Sequence, residues 1–185
     1  MRILGIPGSL RSASTNRGLL RAAQELAPSG VEIEIFDLHE IPLYDGDVEA
    51  EGDPAPVAAF KRAIRDADAL LIATPEYNRG VPGVLKNAID WASRPALAPP
   101  LAGKPVGLMG ASTGLGGTAN AQRQLREALG FPRARVLEGP RVLVASSYEK
   151  FVDGRVVDAE TRASVRELVE ALVAEASTEQ TARAA

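Results

Sequence analysis

Between residues 8 and 16 the chain reads Gly8-Ser9-Leu10-Arg11-Ser12-Ala13-Ser14-Thr15-Asn16, a concentration of short hydroxyl and amide side chains around one arginine. Such residues bind anions. Ser9, Ser14, Thr15 and Asn16 offer compact donors, and the Arg11 guanidinium presents a planar fork matched to phosphate oxygens. Where the stretch runs into a helix, the unpaired N–H groups of the first turn and the positive end of the helix dipole add to the same field. An ordinary N-cap uses one Ser, Thr or Asn, so the surplus here points past capping to an anion. The loop lacks the closing Gly-Lys-Ser/Thr of a nucleoside-triphosphate loop, and a metal-free monophosphate is the guest it suits.

Two further stretches have ligand-binding composition. Pro75-Glu76-Tyr77-Asn78-Arg79-Gly80-Val81-Pro82-Gly83 holds two prolines and two glycines that fix its path. Fixed N–H groups beside Tyr77 would line the edge of a planar heterocycle, as a flavin requires; the plainer reading is a rigid turn leading into a helix, with Pro82 near the first turn and Trp91 as a packing residue. Ala111-Ser112-Thr113-Gly114-Leu115-Gly116-Gly117-Thr118-Ala119 contains a literal Gly-x-Gly-x-x-Ala, with Glu138 downstream. The dinucleotide fingerprint belongs in the first strand-to-helix turn of its unit, whereas this match follows the fourth strand. Its glycines more plausibly admit a flat ring or an incoming nicotinamide.

Other candidates for chemistry are weak. His39 is the only histidine and there is no cysteine, which removes Cys-based zinc sites, Cys nucleophiles and disulfides. His39 sits in an acidic loop that favours a solvated side chain. Asp45, Asp47, Glu49, Glu51 and Asp53 fit no Ca²⁺ loop with its closing Glu, and Glu25, Glu127 and Glu167 read as solvated helix faces. With no conspicuous acid or base, redox work would rest on a bound cofactor.

The elements that must position these loops follow from periodicity. Apolar strand patterns at Arg2 to Ile6, Val31 to Phe36, Ala69 to Thr74, Val106 to Gly110 and around Arg141 to Ala145 alternate with helical patterns at Asn16 to Leu26, Val57 to Arg65, Val84 to Ser93, Ala119 to Leu129 and Ala159 to Ala176. Such alternation means βαβ units and a parallel sheet. Val31, Ile33 and Ile35 alternate with glutamates, as an edge strand does; Ala69 to Ala73 is apolar throughout and belongs in the centre. Leu38 to Pro56, Arg94 to Pro105 and Ser146 to Val157 read as irregular, the loop after the second strand as acidic and flexible, and 177–185 as a frayed tail behind a single domain over 1–176. In an open sheet of this kind ligands sit beyond the carboxyl ends of the strands, where the three loops lie.

At 185 residues the chain fits one domain. Its net charge of −3 comes from 21 basic and 24 acidic residues mixed along the sequence, so no basic block marks a nucleic-acid face. No run approaches the roughly 18 apolar residues of a membrane span. The expectation is a soluble, cytoplasmic protein with a small-molecule partner.

The three loops together resemble the NAD(P)H-dependent FMN reductase family of flavodoxin-like flavoproteins, the group that includes chromate and quinone reductases. Gly8 to Asn16 is similar to its Gly-Ser-x-Arg-x-x-Ser-x-Asn phosphate loop. Pro75-Glu76-Tyr77-Asn78, with Pro82-Gly83 and Leu85-Lys86-Asn87-Ala88-Ile89-Asp90-Trp91, resembles its flavin-ring loop and following helix, and Gly110 to Gly117 its third loop. The resemblance runs over roughly Met1 to Ala145. It implies a three-layer sandwich with a five-stranded parallel sheet and helices on both faces. It further implies FMN held at its phosphate by Ser9, Arg11, Ser14, Thr15 and Asn16, and at its ring by Pro75, Glu76, Tyr77, Asn78, Ser112, Thr113, Gly114 and Gly117. No metal and no catalytic side chain are implied, since the flavin carries the chemistry. NADPH or NADH would donate hydride, a quinone, flavin, azo compound or metal oxyanion would accept it in ping-pong turnover, and the Val84 to Trp91 helix would lie at the interface of a homodimer or homotetramer. Two other readings stay open: a flavodoxin-like electron carrier, against which the modest charge argues, and a nucleotide-binding regulator using the Gly-x-Gly-x-x-Ala match.

Overall fold

The structure is a computed structural model that describes residues 1–184, and for residues 179, 180 and 182–184 the backbone alone. Strands β1 (Arg2–Pro7), β2 (Glu32–Ile35), β3 (Ala69–Ala73) and β4 (Pro105–Ala111) form a parallel sheet in the order β2-β1-β3-β4. Beyond β4 the next position is shared. β5 (Arg135–Val136) pairs with Pro105 and Val106, and β6 (Val142–Val144) pairs with Met109 to Ala111, both parallel. The fold is α/β and flavodoxin-like, with strand order 2-1-3-4-5 and a reversal of winding between β1 and β3.

Alternation along the strands builds the two cores. In β3, Leu70 and Ile72 face one layer with Leu4, Ile6, Val106 and Leu108, while Ala69, Leu71 and Ala73 face the other with Ile3 and Met109. Helices α3 (Ala55–Asp66), α4 (Gly83–Ala92) and α5 (Ala119–Gly130) cover the first face through Phe60, Ile64, Leu85, Ile89, Leu125 and Leu129. Helices α1 (Thr15–Leu26) and α7 (Ala159–Ala184) cover the second through Leu19, Leu20, Ala23, Val165, Leu168 and Leu172. Each fully buried Leu or Ile contributes about 1.5–3 kcal/mol over exposure, so the site stands on a rigid floor.

Four expectations need correction. The fifth strand is two short pieces, because Pro140 has no N–H to give the ladder and the segment Leu137 to Arg141 leaves β4. The stretch after β2 contains a short helix, α2 (Gly46–Glu51), capped by Asp45, whose side chain accepts from the Asp47 N–H at 2.9 Å. Nor does that stretch hang free. Leu38 and Ile41 are buried, the Asn87 amide and the Trp91 indole both donate to the Pro42 carbonyl at 2.8 and 2.9 Å, and Asp53 pairs with the buried Lys61 ammonium at 2.5 Å. Ser146 to Val157 also has structure: helix α6 (Ser147–Lys150) and an antiparallel hairpin of β7 (Phe151–Val152) and β8 (Arg155–Val156).

Helix α7 passes Ala176, the last buried residue of its apolar stripe among the described side chains, and its backbone continues to Ala184. Of the tail expected to fray over 177–185, the side chains of 179, 180 and 182–184 and the whole of residue 185 lie outside the described residues.

Candidate functional site

The ends of β1, β3 and β4 empty into one cavity of about 390 Å³, within the range of cofactor clefts. Its first wall is the loop from β1 into α1. Gly8 donates its N–H to the Ala73 carbonyl at 2.8 Å, and a Cβ there would lie 2.9 Å from Leu85 and 3.3 Å from Pro75. Glycine here lets the first loop lie close against Leu85 and the start of the second loop without displacing either. Ser14 is the N-cap of α1, its hydroxyl accepting from the Arg17 N–H at 3.3 Å, and Ser9 Oγ accepts from the Arg11 N–H at 3.4 Å. Thr15 and Asn16, the first two helical residues, have no partner among the described residues for their backbone N–H groups.

Asn16 uses its amide differently from the expectation drawn from its residue type. Nδ2 donates to the Ala111 carbonyl at 3.0 Å and Oδ1 accepts the Ala111 N–H at 2.9 Å, both buried. The side chain ties α1 to the end of β4, and what Asn16 offers the cavity is its N–H. Arg11 is exposed on the lining. Nearby, Arg17 pairs with Asp37 at 3.0 Å. Burial works to raise the Asp37 carboxyl, but the His39 N–H and ring and the Arg17 guanidinium outweigh it and hold it below the usual aspartate range. His39 itself is half exposed against Asp37 and away from the cavity lining.

The second wall is Pro75, Glu76 and Tyr77. The Glu76 carboxylate accepts the backbone N–H groups of Asn120 and Ala121 at 2.9 and 3.0 Å and the Asn120 amide at 3.1 Å. It therefore caps α5 from another loop, where Thr118 provides no side-chain cap. Tyr77 and Gly80 exchange backbone hydrogen bonds at 3.1 and 2.9 Å around a tight turn with Asn78 at φ 51° and Arg79 at φ 62°. Both central residues are left-handed, the conformation of a two-residue hairpin turn. Gln124 of α5 clasps the turn, accepting from the Val81 N–H at 3.1 Å. Asn78 serves the turn and is not among the lining residues. Trp91 is fully buried and packs edge-on against Tyr44, the structural role the plainer reading gave it.

The third wall is Ala111, Ser112 and Thr113. Ser112 Oγ accepts the Gly114 N–H at 3.2 Å, and Gly117, at φ 57°, lies against the backbone of Leu143 in β6. Gly114 and Gly117 shape this turn from outside the lining. Gly110 has no space for a methyl: a Cβ would sit 2.2 Å from Thr118 Oγ1 and 2.3 Å from the Thr74 carbonyl.

A fourth wall escaped the sequence reading. Ser147, Tyr148, Phe151 and Gly154, from α6 and the β7–β8 hairpin, complete the cavity. The signal was present: Val152-Asp153-Gly154-Arg155 is an Asp-Gly hairpin turn, with Asp153 at φ 47° and Gly154 at φ 71°. Sequence alone did not say that this hairpin docks on the ligand loops.

The donor set fits a flavin monophosphate. Unpaired N–H groups at a helix start, hydroxyls and Arg11 stand at one end, and Pro75 to Tyr77 with Ser112 and Thr113 at the other. Comparisons with known proteins point the same way. The family model described as NADPH-dependent FMN reductase matches residues 1–149. An NAD(P)H-dependent FMN reductase of Pseudomonas aeruginosa is 48% identical over 173 residues, covering 93% of each chain. A 2-hydroxy-1,4-benzoquinone reductase of a Burkholderia species is 40% identical over 163 residues, 88% of each chain. Among solved structures, the flavoenzyme NAD(P)H:(acceptor) oxidoreductase FerB of Paracoccus denitrificans superposes with a TM-score of 0.86 at 34% identity, covering 96% of this chain and 97% of that one.

Proposed function

The chain belongs to the NADPH-dependent FMN reductase family, and on that footing we propose that it is an FMN-dependent NAD(P)H oxidoreductase of the quinone reductase type, acting in the cytoplasm. Its acceptors are flat or oxidising small molecules: quinones, free flavin, azo compounds or metal oxyanions. The observation that carries this reading is the meeting of three ligand-type loops in one cavity at the ends of β1, β3 and β4.

The chain's residues divide the work. Arg11, the hydroxyls of Ser9 and Thr15 and the N–H groups of Thr15 and Asn16 hold the phosphate, with the dipole of α1 behind them. Pro75, Glu76 and Tyr77 with Ser112 and Thr113 would contact the ring, while Asn78, Gly114 and Gly117 set the turns that carry those residues. Bound there, FMN supplies hydride transfer from nicotinamide and onward to the acceptor, in alternate half-reactions at one site. The Glu76 cap and the Gln124 clasp fix the loop that carries Pro75 and Tyr77, so this wall would need little reorganisation when charge develops on a bound ring.

Reconstitution tests the proposal. Protein incubated with FMN and desalted should retain a flavin absorbance band that NADPH or NADH bleaches and a benzoquinone restores. A protein that retains no flavin, or whose bound flavin neither nicotinamide reduces, would sink it, and the second outcome would favour the electron-carrier reading.

A further inference from the structure

We propose that the β7–β8 hairpin is a selectivity wall that admits a flavin mononucleotide and refuses a flavin dinucleotide; this rests on the FMN reading above. The segment is fastened at both ends of its crossing. At the third loop the Ser147 N–H donates to the Ser112 carbonyl at 3.0 Å and the Ser146 N–H to the Gly114 carbonyl at 3.4 Å. At the other end it rests on α1 without slack: a Cβ on Gly18 would lie 2.3 Å from the Gly154 carbonyl oxygen and 3.2 Å from the Phe151 ring.

Position decides what the wall can do. Gly18 falls one turn after the Ser14 N-cap, so the hairpin abuts the helix turn whose N–H groups face the phosphate. A terminal phosphate ends at that turn. A second phosphate and its adenosine must continue beyond it, and the ground on the α1 side is occupied by Phe151 and Gly154, which also line the cavity. The hairpin is stiff for its size, since its two-residue turn has the left-handed pair that matches strand twist.

Competition between the two flavins is the test, read by quenching of flavin fluorescence on titration with the purified chain, with unfolding midpoints measured alongside. The wild type should bind FMN at least tenfold more tightly than FAD. Gly18→Ala, which forces the hairpin off α1, and Phe151→Ala, which lowers the wall and keeps the α1 contact at Gly18, should each reduce the FMN-to-FAD ratio at least tenfold, mainly by gained FAD affinity. Phe151→Ala keeps the test usable if Gly18→Ala does not fold. An unchanged ratio in a folded variant overturns the wall while leaving the FMN reading intact, as does a wild type that binds both flavins equally. A wild type that binds neither flavin removes the FMN reading and the wall with it.

Discussion

Asn16 and Ala111, 95 residues apart in sequence, exchange two buried hydrogen bonds between a side-chain amide and a peptide group. The pair holds the first turn of α1 against the end of β4, so the phosphate end and the ring end of the cavity are set by one contact. Asn16→Leu leaves the Ala111 N–H and carbonyl buried without partners, at about 1–3 kcal/mol for each unsatisfied group. Urea unfolding should show a loss of that size, and FMN affinity should fall with it because the first turn of α1 loses its tie to β4.

Arg11 presents the opposite case. It is exposed and makes no ion pair among the described residues, so Arg11→Ala should leave the melting temperature unchanged. FMN affinity should drop about tenfold or more, the scale of a charge-assisted hydrogen bond of about 1.5–3 kcal/mol. Riboflavin, which lacks the phosphate, should bind both forms alike. Equal loss for both ligands would move Arg11 away from the phosphate.

Glu76 is expected to act through α5. Glu76→Ala removes three hydrogen bonds at the first turn of that helix and should cost about 1–2 kcal/mol, as loss of a cap does. Glu76→Gln keeps an acceptor oxygen and should recover most of the stability. If catalysis with NADPH recovers in parallel, the carboxylate is a positioning group; if Gln restores stability alone, its charge acts on the ligand.

Arg79 holds a left-handed backbone that costs a residue with a Cβ about 1–2 kcal/mol relative to glycine. Arg79→Gly creates the Asn-Gly pair favoured in such turns and should raise the unfolding free energy by about 1 kcal/mol or less. A stabilised variant with a higher KM for NADPH would assign the guanidinium to nicotinamide nucleotide binding; unchanged KM would leave it to the turn alone.

Acid sensitivity should trace in part to Asp158. The Thr161 hydroxyl, foremost, and the Thr161 N–H, at 2.6 and 2.8 Å, with Lys150 nearby, hold its carboxyl below the usual aspartate range against a smaller opposing effect of burial. A carboxyl lowered by folding stabilises the folded chain above its unfolded pKa, and that contribution is lost as pH falls through the folded one. Asp158→Asn should lower the unfolding midpoint at neutral pH and converge with the wild type in strong acid. A gap constant across pH would contradict the assignment.

Most of the framework was legible because burial imposes it. Ile33 flanked by Glu32 and Glu34 can only be a strand with one wet face, and Ala69 to Ala73 can only be central. The turn from β1 into α1 over Gly8 to Asn16 was legible as well, and in it the Ser14 and Asn16 side chains also bond the Arg17 N–H and Ala111. What stayed hidden depends on contacts distant in sequence. Nothing near Glu76 says that its carboxylate will cap a helix starting at Ala119, and nothing near Gly18 says that a carbonyl from residue 154 will need the space of its missing methyl. The break at Pro140 was visible, but the short Arg135–Val136 pairing before it has too few residues to show a period.

That broken fifth position has a second consequence, for the company the sheet keeps. A continuous exposed strand is a template on which another chain can add itself, and proteins protect against this with short, interrupted or charged margins. Here one margin is two pieces of 2 and 3 residues with a Gly-Pro between them, and the other is the four-residue β2 carrying Glu32 and Glu34. Neither border offers a run long enough for a stray strand to register. The same interruption that sets β6 beneath the third loop thus also guards the sheet against amyloid-like growth.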